Sequence, residues 1–221
     1  MNTFEKLFQD HRGRLCSKWH HYFEIYDRHF SSFINKEFTI LEIGVAHGGS
    51  LQLWKKYFGS KVRIVGIDLI PTTQFSEPQI EVFIGDQTNK DFLLNVIEKI
   101  GTPSIIIDDG SHVQSHILAS FEVLYPILSE NGVYLIEDCH TAYWSNFQGG
   151  INSYLNVVEI FSKAAHDVNT KWYEESKVPK INQLNSLHFY DSIIVFEKKP
   201  QEFQRFMINA DHSGLKIKDK F

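Results

Sequence analysis

From Phe38 onward, short runs of aliphatic residues alternate with segments whose apolar positions recur every three or four residues. The runs 38–43, 62–67, 80–84, 104–107 and 132–136 are apolar enough to read as strands covered on both faces. Segments 51–58, 91–100 and 114–128 carry helical periodicity between them, giving the order β-α-β-β-α-β-α-β. That order suits a mostly parallel α/β sheet. A helix over 152–165 then precedes two runs, 184–189 and 192–197, that meet at Tyr190 and Asp191 as an antiparallel hairpin and bring the expected sheet to seven strands. Upstream, Trp19, Tyr22, Phe23, Tyr26 and Phe30 keep helical spacing, so residues 3–33 read as two helices capping the sheet edge. The expected organisation is a single domain: a helical cap over 1–36, the α/β core over 37–200 and a tail over 201–221, whose polar last stretch is expected to be loosely held.

Composition narrows the function classes. With 221 residues, 43% of them hydrophobic, the chain can fold around one substantial core. A net charge of −5 with scattered basic residues supplies no positive stripe, so nucleic acid is not an expected partner. No stretch approaches the roughly 20 apolar residues of a membrane span, and the first 18 residues lack the apolar segment of a signal peptide. A soluble, cytoplasmic protein with Cys16 and Cys139 reduced is expected. The aromatic N-terminal helices offer a surface for self-association, which leaves a homo-oligomer open.

The segment Leu41-Glu42-Ile43-Gly44-Val45-Ala46-His47-Gly48-Gly49-Ser50 closes the first core strand and opens a helix. Glycines there let backbone approach a ligand, and free N–H groups at the helix start attract anionic groups. The spacing departs from the G-x-G-x-x-G dinucleotide fingerprint, which weakens a nicotinamide reading. Asp68 ends the second strand, where its carboxylate can accept from ribose hydroxyls, and Asp86, followed by Gln87, ends the third. These features share the sheet edge at which open α/β folds bind ligands.

The strongest signal is a pair of apolar strands that each end in two acids: Ile105-Ile106-Ile107-Asp108-Asp109-Gly110-Ser111-His112 and Tyr134-Leu135-Ile136-Glu137-Asp138. On neighbouring strands these four carboxylates would repel one another unless a cation intervened. Hard oxygen ligands suit Mg²⁺, Ca²⁺ or Mn²⁺. His112 lies three residues past Asp109, so its ring can face the same pocket; His116 is a candidate zinc partner for it, without the glutamate of the zinc-protease signature.

At these residues the chain resembles the class I S-adenosylmethionine-dependent methyltransferases, in particular the metal-dependent sugar O-methyltransferases of macrolide biosynthesis and relatives labelled cephalosporin hydroxylase. The resemblance rests on Lys18-Trp19-His20-His21-Tyr22, residues 41–54, Gly66-Ile67-Asp68, Gly85-Asp86-Gln87, residues 107–112, residues 137–144 and residues 187–193. It implies a Rossmann-like fold and transfer of a methyl group from S-adenosylmethionine to a sugar hydroxyl, with Mg²⁺ or Mn²⁺ held by Asp109, Glu137 and Asp138 and with His112 as general base. The same likeness places the cofactor against Glu42, Gly44, Asp68 and Asp86, with Gly48, Ser50, Gln87 and Asp108 beside it. The aromatic loop over 139–147 ends at paired glycines and suits a sugar face, so His140, Tyr143 and Trp144 are candidate acceptor contacts, joined by His21 and Tyr22. No histidine-rich facial triad supports the hydroxylase label. Other readings are a catechol-type O-methyltransferase, a nicotinamide oxidoreductase on the same topology, and a non-catalytic protein binding S-adenosylmethionine or a sugar nucleotide.

Overall fold

The computed structural model describes residues 3–173 and 179–200; the expected tail over 201–221 lies outside them. Strands β1 (Phe38–Ile43), β2 (Val62–Asp68), β3 (Ser76–Glu77), β4 (Ile80–Ile84), β5 (Ile105–Asp108), β6 (Val133–Ile136), β7 (Leu184–Tyr190) and β8 (Ile193–Lys198) form one sheet in the order β3-β4-β2-β1-β5-β6-β8-β7. The five strands from β4 to β6 are parallel, and β8 and β7 complete the sheet as an antiparallel hairpin. The sheet therefore has eight strands where the apolar runs predict seven. The addition, β3, is two residues long and pairs antiparallel with β4, and so short a polar pair leaves no hydrophobic alternation to detect.

Helices α1 (Thr3–Gln9), α2 (Tyr22–Phe30) and α3 (Gly49–Phe58) cover one face of the sheet, and α4 (Lys90–Ile100), α5 (Gln114–Leu124) and α6 (Val157–Ser162) cover the other. Gly101 follows α4 at φ 78° and ψ −168°, a conformation that a side chain would strain. Residues 152–165 are less regular than their periodicity predicts: α6 begins after an Asn156 cap, and the chain continues as a 3₁₀ helix over Lys163–Trp172. Among the described residues no helix is long and apolar enough to cross a membrane.

The N-terminal helices do not cap the sheet edge as expected but lie on its face. Phe4, Tyr22, Tyr26 and Phe30 are fully buried with Trp54 and Phe58 of α3 over the sheet residues Ile40, Ile105 and Leu135. Phe4 packs 4.6 Å from Trp54 and Tyr26 packs edge-on to it at 5.1 Å. Truncating one such aromatic to alanine costs about 3–5 kcal/mol, so the cap is part of the core. Trp19 lies before α2 and is 56% exposed, which removes it from that helical face.

The cap is also tied to the hairpin. His29 of α2 shares its Nδ1 with Glu197 Oε1 at 2.8 Å and its Nε2 with the Tyr190 hydroxyl at 2.9 Å, while the Ser186 hydroxyl donates to Glu197 Oε2 at 2.6 Å. The His29 hydrogen bond, with Ser186 beside it and against the cost of burial, lowers the Glu197 carboxyl to about 2. A lowered carboxyl stabilises the fold above its unfolded value near 4.5 and loses that contribution as pH falls toward 2. Because Glu197 keeps about a third of its side chain in water, the contribution is about 1 kcal/mol. Thermal melts of Glu197→Gln should fall below wild type at neutral pH, and the gap should close between about pH 4.5 and 2; a gap independent of pH would contradict the ion pair.

Candidate active site

The glycine loop is built by close backbone approach. Gly44 follows β1 at φ 91°, and a Cβ placed on it would lie 2.0 Å from the Asp109 carbonyl oxygen, so no other residue fits between the ends of β1 and β5. Ala46 at φ 47° and Gly48 at φ 82° turn the chain into α3. Asp68 at the end of β2 holds this turn: its Oδ2 accepts from the amides of Val45 at 2.9 Å and Ala46 at 3.0 Å, and its Oδ1 from the Ile70 amide at 2.9 Å. A carboxylate accepts about four hydrogen bonds, so Asp68 keeps capacity for a ligand.

Above this loop opens a cleft of about 530 Å³. Gly44, Ser50, Asp68, Asp86 and Gln87 face it, as do the half-exposed apolar side chains of Leu69 and Ile70. The amide and hydroxyl of Thr88 both donate to Asp86 Oδ1 at 2.8 Å and hold its carboxyl below the usual range. Gln87 carries a structural role as well, accepting from the Ser111 amide at 2.9 Å while its Nε2 donates to Asp108 at 3.3 Å.

Three residues expected at the cofactor do not form the cleft wall. Glu42 is wholly buried beneath it and accepts from Trp54 Nε1 at 2.5 Å; burial raises its carboxyl to about 7 despite Lys18, Ser50 and Trp54. Asp108 points into the opposite face, where the Ser120 hydroxyl donates to it at 2.5 Å and burial raises it to about 6. Gly48 starts α3 under the side chains of Phe75 and Arg14.

The acid-ended strands are neighbours. Asp108 of β5 pairs with Ile136 of β6, and the Glu137 amide donates to the Asp108 carbonyl at 2.9 Å, so Asp109 and Asp138 emerge together at the cleft with Glu137 buried beside them. Lys18, from the irregular segment between α1 and α2, inserts its ammonium among them. It donates to Asp109 Oδ2 at 2.5 Å and Glu137 Oε2 at 2.8 Å with only 4% of its side chain exposed. Burial opposes this charge, but Asp109 and Glu137 outweigh it and hold the ammonium well above the ordinary lysine range. Tyr26 donates to Glu137 Oε1 at 2.7 Å, completing a carboxylate that burial and Asp109 push upward.

Asp138 adopts φ 52°, and its Oδ1 sits 2.7 Å from the Tyr22 hydroxyl, which also lies 2.9 Å from Ser192 Oγ. His112 is likewise left-handed, at φ 58°. Such residues cost about 1–3 kcal/mol and persist only where neighbours hold them. Here Thr141 Oγ1 and Gln114 Nε2 both donate to the His112 carbonyl at 3.1 Å, and its ring Nε2 lies 3.5 Å from Asp138 Oδ2. His116 pairs with the Ser111 hydroxyl at 2.9 Å and shares no metal-sized donor group with His112 among the described residues.

Donor atoms of Asp109, His112 and Asp138 lie within 4.8 Å of one another, a set of hard oxygens and one imidazole. The Lys18 ammonium between Asp109 and Glu137 shows that this edge already draws a cation. Both observations fit a divalent metal of the Mg²⁺ or Mn²⁺ type.

A second cavity of about 360 Å³ adjoins the cleft, walled by Lys18, Trp19, Tyr22, Asp109, Glu137 and Asp138. Lys18, Asp109 and Asp138 line both spaces and form the wall between them. Of the expected acceptor contacts, only Tyr22 belongs to this wall. His140 stands nearby, with Nδ1 on the Ser192 hydroxyl and its ring 6.2 Å from Trp19 and 4.8 Å from Trp144. Tyr143 and Trp144 are half-exposed outside it, and His21 turns to the Asp191 carbonyl at 3.1 Å. Lys18, Tyr26 and Ser192 were not expected at the site; Lys18 and Tyr26 arrive by packing of the cap, which spacing does not report, and Ser192 by the hairpin turn.

No protein-family model matches the chain. It is 32% identical over 212 residues to the 8-demethyl-8-alpha-L-rhamnosyl tetracenomycin-C 2'-O-methyltransferase of Streptomyces olivaceus, an alignment covering 90% of this chain and 54% of that protein. It is 40% identical over 131 residues to the mycinamicin VI 2''-O-methyltransferase of Micromonospora griseorubida, covering 56% of this chain and 33% of that protein. The solved structure of the MycE methyltransferase from the mycinamycin biosynthetic pathway, in complex with Mg and SAH, superposes with a TM-score of 0.81 at 28% identity, covering 90% of this chain and 55% of that one. The chain thus spans about half the length of the relatives it matches most fully. Its fold is that of the MycE methyltransferase, and over nine-tenths of its length its sequence is similar to a sugar O-methyltransferase of natural-product biosynthesis.

Proposed function

We propose that this protein transfers the methyl group of S-adenosylmethionine to a hydroxyl of a sugar, as a glycoside or nucleotide-linked sugar of a surface polysaccharide or natural product, with Mg²⁺ or Mn²⁺ bound at the acid cluster. The observation that carries this reading is the wall shared by two adjoining spaces, built from Asp109, Asp138 and Lys18 with His112 beside it. One space suits the donor and the other the acceptor. The relatives named above methylate sugar hydroxyls of natural products, which favours a sugar over a catechol.

The cleft offers a nucleoside-like donor the glycine loop, the remaining acceptor capacity of Asp68 and the apolar flank of Leu69 and Ile70. Asp109, Glu137 and Asp138 are the proposed holders of the metal: donor oxygens of Asp109 and Asp138 lie within 4.8 Å of one another, and Glu137 shares the Lys18 ammonium with Asp109. When bound, the metal supplies Lewis-acid stabilisation of an ionising acceptor hydroxyl. His112 is the proposed general base. Its Nε2 takes the hydroxyl proton, and Asp138 at 3.5 Å compensates the imidazolium that results. An alcohol is a far weaker acid than imidazolium, whose pKa is about 6.5, and each unit of mismatch costs roughly 1.4 kcal/mol, so the base needs that electrostatic help. Tyr22 and Ser192 fix Asp138, and the Thr141 hydroxyl fixes the backbone of His112, so the base is oriented before the acceptor arrives. Trp19 and His140 stand beside the second cavity, where their faces can pack on the C–H surface of a sugar. A cytoplasmic location belongs to the same proposal.

A mass-spectrometric screen of glycosides and nucleotide sugars with S-adenosylmethionine should yield methylated product with Mg²⁺ and none after chelation. Turnover of catechols alone would reverse the acceptor class, and full turnover after exhaustive chelation would remove the metal. With an acceptor in hand, His112→Ala should lower kcat by about 10²- to 10⁴-fold. Calorimetric binding of S-adenosylhomocysteine should stay near wild type; an unchanged kcat would exclude His112 as the base.

A further inference from the structure

Lys18 is the one charged residue lining both spaces, among the described residues, that none of the expected roles uses. Its ammonium is almost wholly withdrawn from water and reaches the carboxylates of Asp109 and Glu137 at 2.5 and 2.8 Å. These are two of the three acids proposed to hold the metal. Glu137 is 1% exposed and its second oxygen is taken by the neutral Tyr26 hydroxyl, so among the described residues Lys18 is the one cation in ion-pair contact with it. Breaking a buried pair by removing one partner is strongly destabilising, because it leaves a buried charge uncompensated. Lys18 supplies that compensating charge to both carboxylates.

A divalent ion drawn to the same oxygens meets that ammonium. Two cations within a few ångströms, walled from water, repel strongly, so the ion and the lysine cannot both hold Asp109 and Glu137 at these distances. The way out is open, since Lys18 borders both the 530 Å³ cleft and the 360 Å³ cavity. It also sits on an irregular segment between α1 and α2 rather than on a helix or strand, so the side chain and its backbone can shift without breaking a regular element.

We propose that Lys18 is a built-in counter-cation that competes with the divalent metal for Asp109 and Glu137, keeping the site folded without metal and yielding these carboxylates when metal binds. This rests on the metal reading of the site given above. It makes Lys18 a positioning residue with two states. In the metal-free state it bridges the tips of β5 and β6; in the metal-bound state its ammonium withdraws toward the adjoining cavities, where it is available to an acceptor oxygen.

The test is Mn²⁺ binding to the metal-free protein, followed by the paramagnetic resonance signal of free Mn²⁺. Lys18→Met should bind Mn²⁺ at least tenfold tighter, because the ion no longer has to displace an ammonium from Asp109 and Glu137. It should also melt below wild type in chelator, with Mn²⁺ closing that gap, while Lys18→Arg should keep wild-type affinity. If Lys18→Met does not fold without metal, wild type supplies the second measurement: acetylation of Lys18, read by peptide mass spectrometry, should be low in chelator and severalfold higher with saturating Mn²⁺. Affinity unchanged or weakened in Lys18→Met, or labelling that Mn²⁺ does not raise, overturns the competition while leaving the metal reading intact. Wild type and Lys18→Met both silent toward Mn²⁺ would overturn the metal reading, and the competition with it.

Discussion

Carboxylates brought together out of water set the terms for everything else in this structure. Two parallel strands end side by side, each delivering a pair of acids to one sheet edge, and like charges at such spacing disfavour one another's ionisation. The fold answers with three different devices. Asp108 is turned away to Ser120, Glu137 is matched by Lys18 and Tyr26, and Asp138 is held by Tyr22 with His112 nearby. Only the last arrangement leaves a carboxylate oxygen directed at a base.

The answer depends on a part of the chain remote in sequence. Lys18, Tyr22 and Tyr26 come from the cap, more than 100 residues before Asp138, and they reach the site because Phe4, Tyr26 and Phe30 pack against Trp54. Trp54 in turn donates to Glu42 beneath the donor cleft. The aromatic layer is thus a mechanical link between the floor of one space and the wall of the other. Side chains packed at interior density have little room to drift, so the positions of the three cap residues inherit the stiffness of the core.

How much of this was legible in the sequence follows from the pleat. Aliphatic runs marked every strand of the parallel sheet, and the two acid-ended strands marked the edge where chemistry collects. Successive strand residues face opposite sides, so Asp108 and Asp109 could not both enter the cleft, and a one-residue step sends Asp108 to α5. Asp138 escapes that rule because its left-handed backbone returns the side chain to the side of Glu137. Asp138 is not a glycine, so nothing in its identity announced the turn. Glu42 lies one residue before the end of β1 and is buried beneath the cleft, where it accepts from Trp54. Lys18 had no periodic partner at all: its role exists only once α1 and α2 lie on the sheet face, a placement set by long-range packing.

The two spaces are made of different material. The proposed donor side is strand ends, a glycine loop and an aspartate that ties them, all fixed by backbone hydrogen bonds and by a glycine that admits no side chain. The proposed acceptor side is the irregular segment before α2, carrying half-exposed Trp19, with Tyr22 beside it. Loops of this kind can change residue without disturbing the sheet, because their backbone is not part of its ladder. The donor geometry can therefore stay constant while acceptor contacts vary, and the acids of the shared wall are the one place where a change in either would be felt by both.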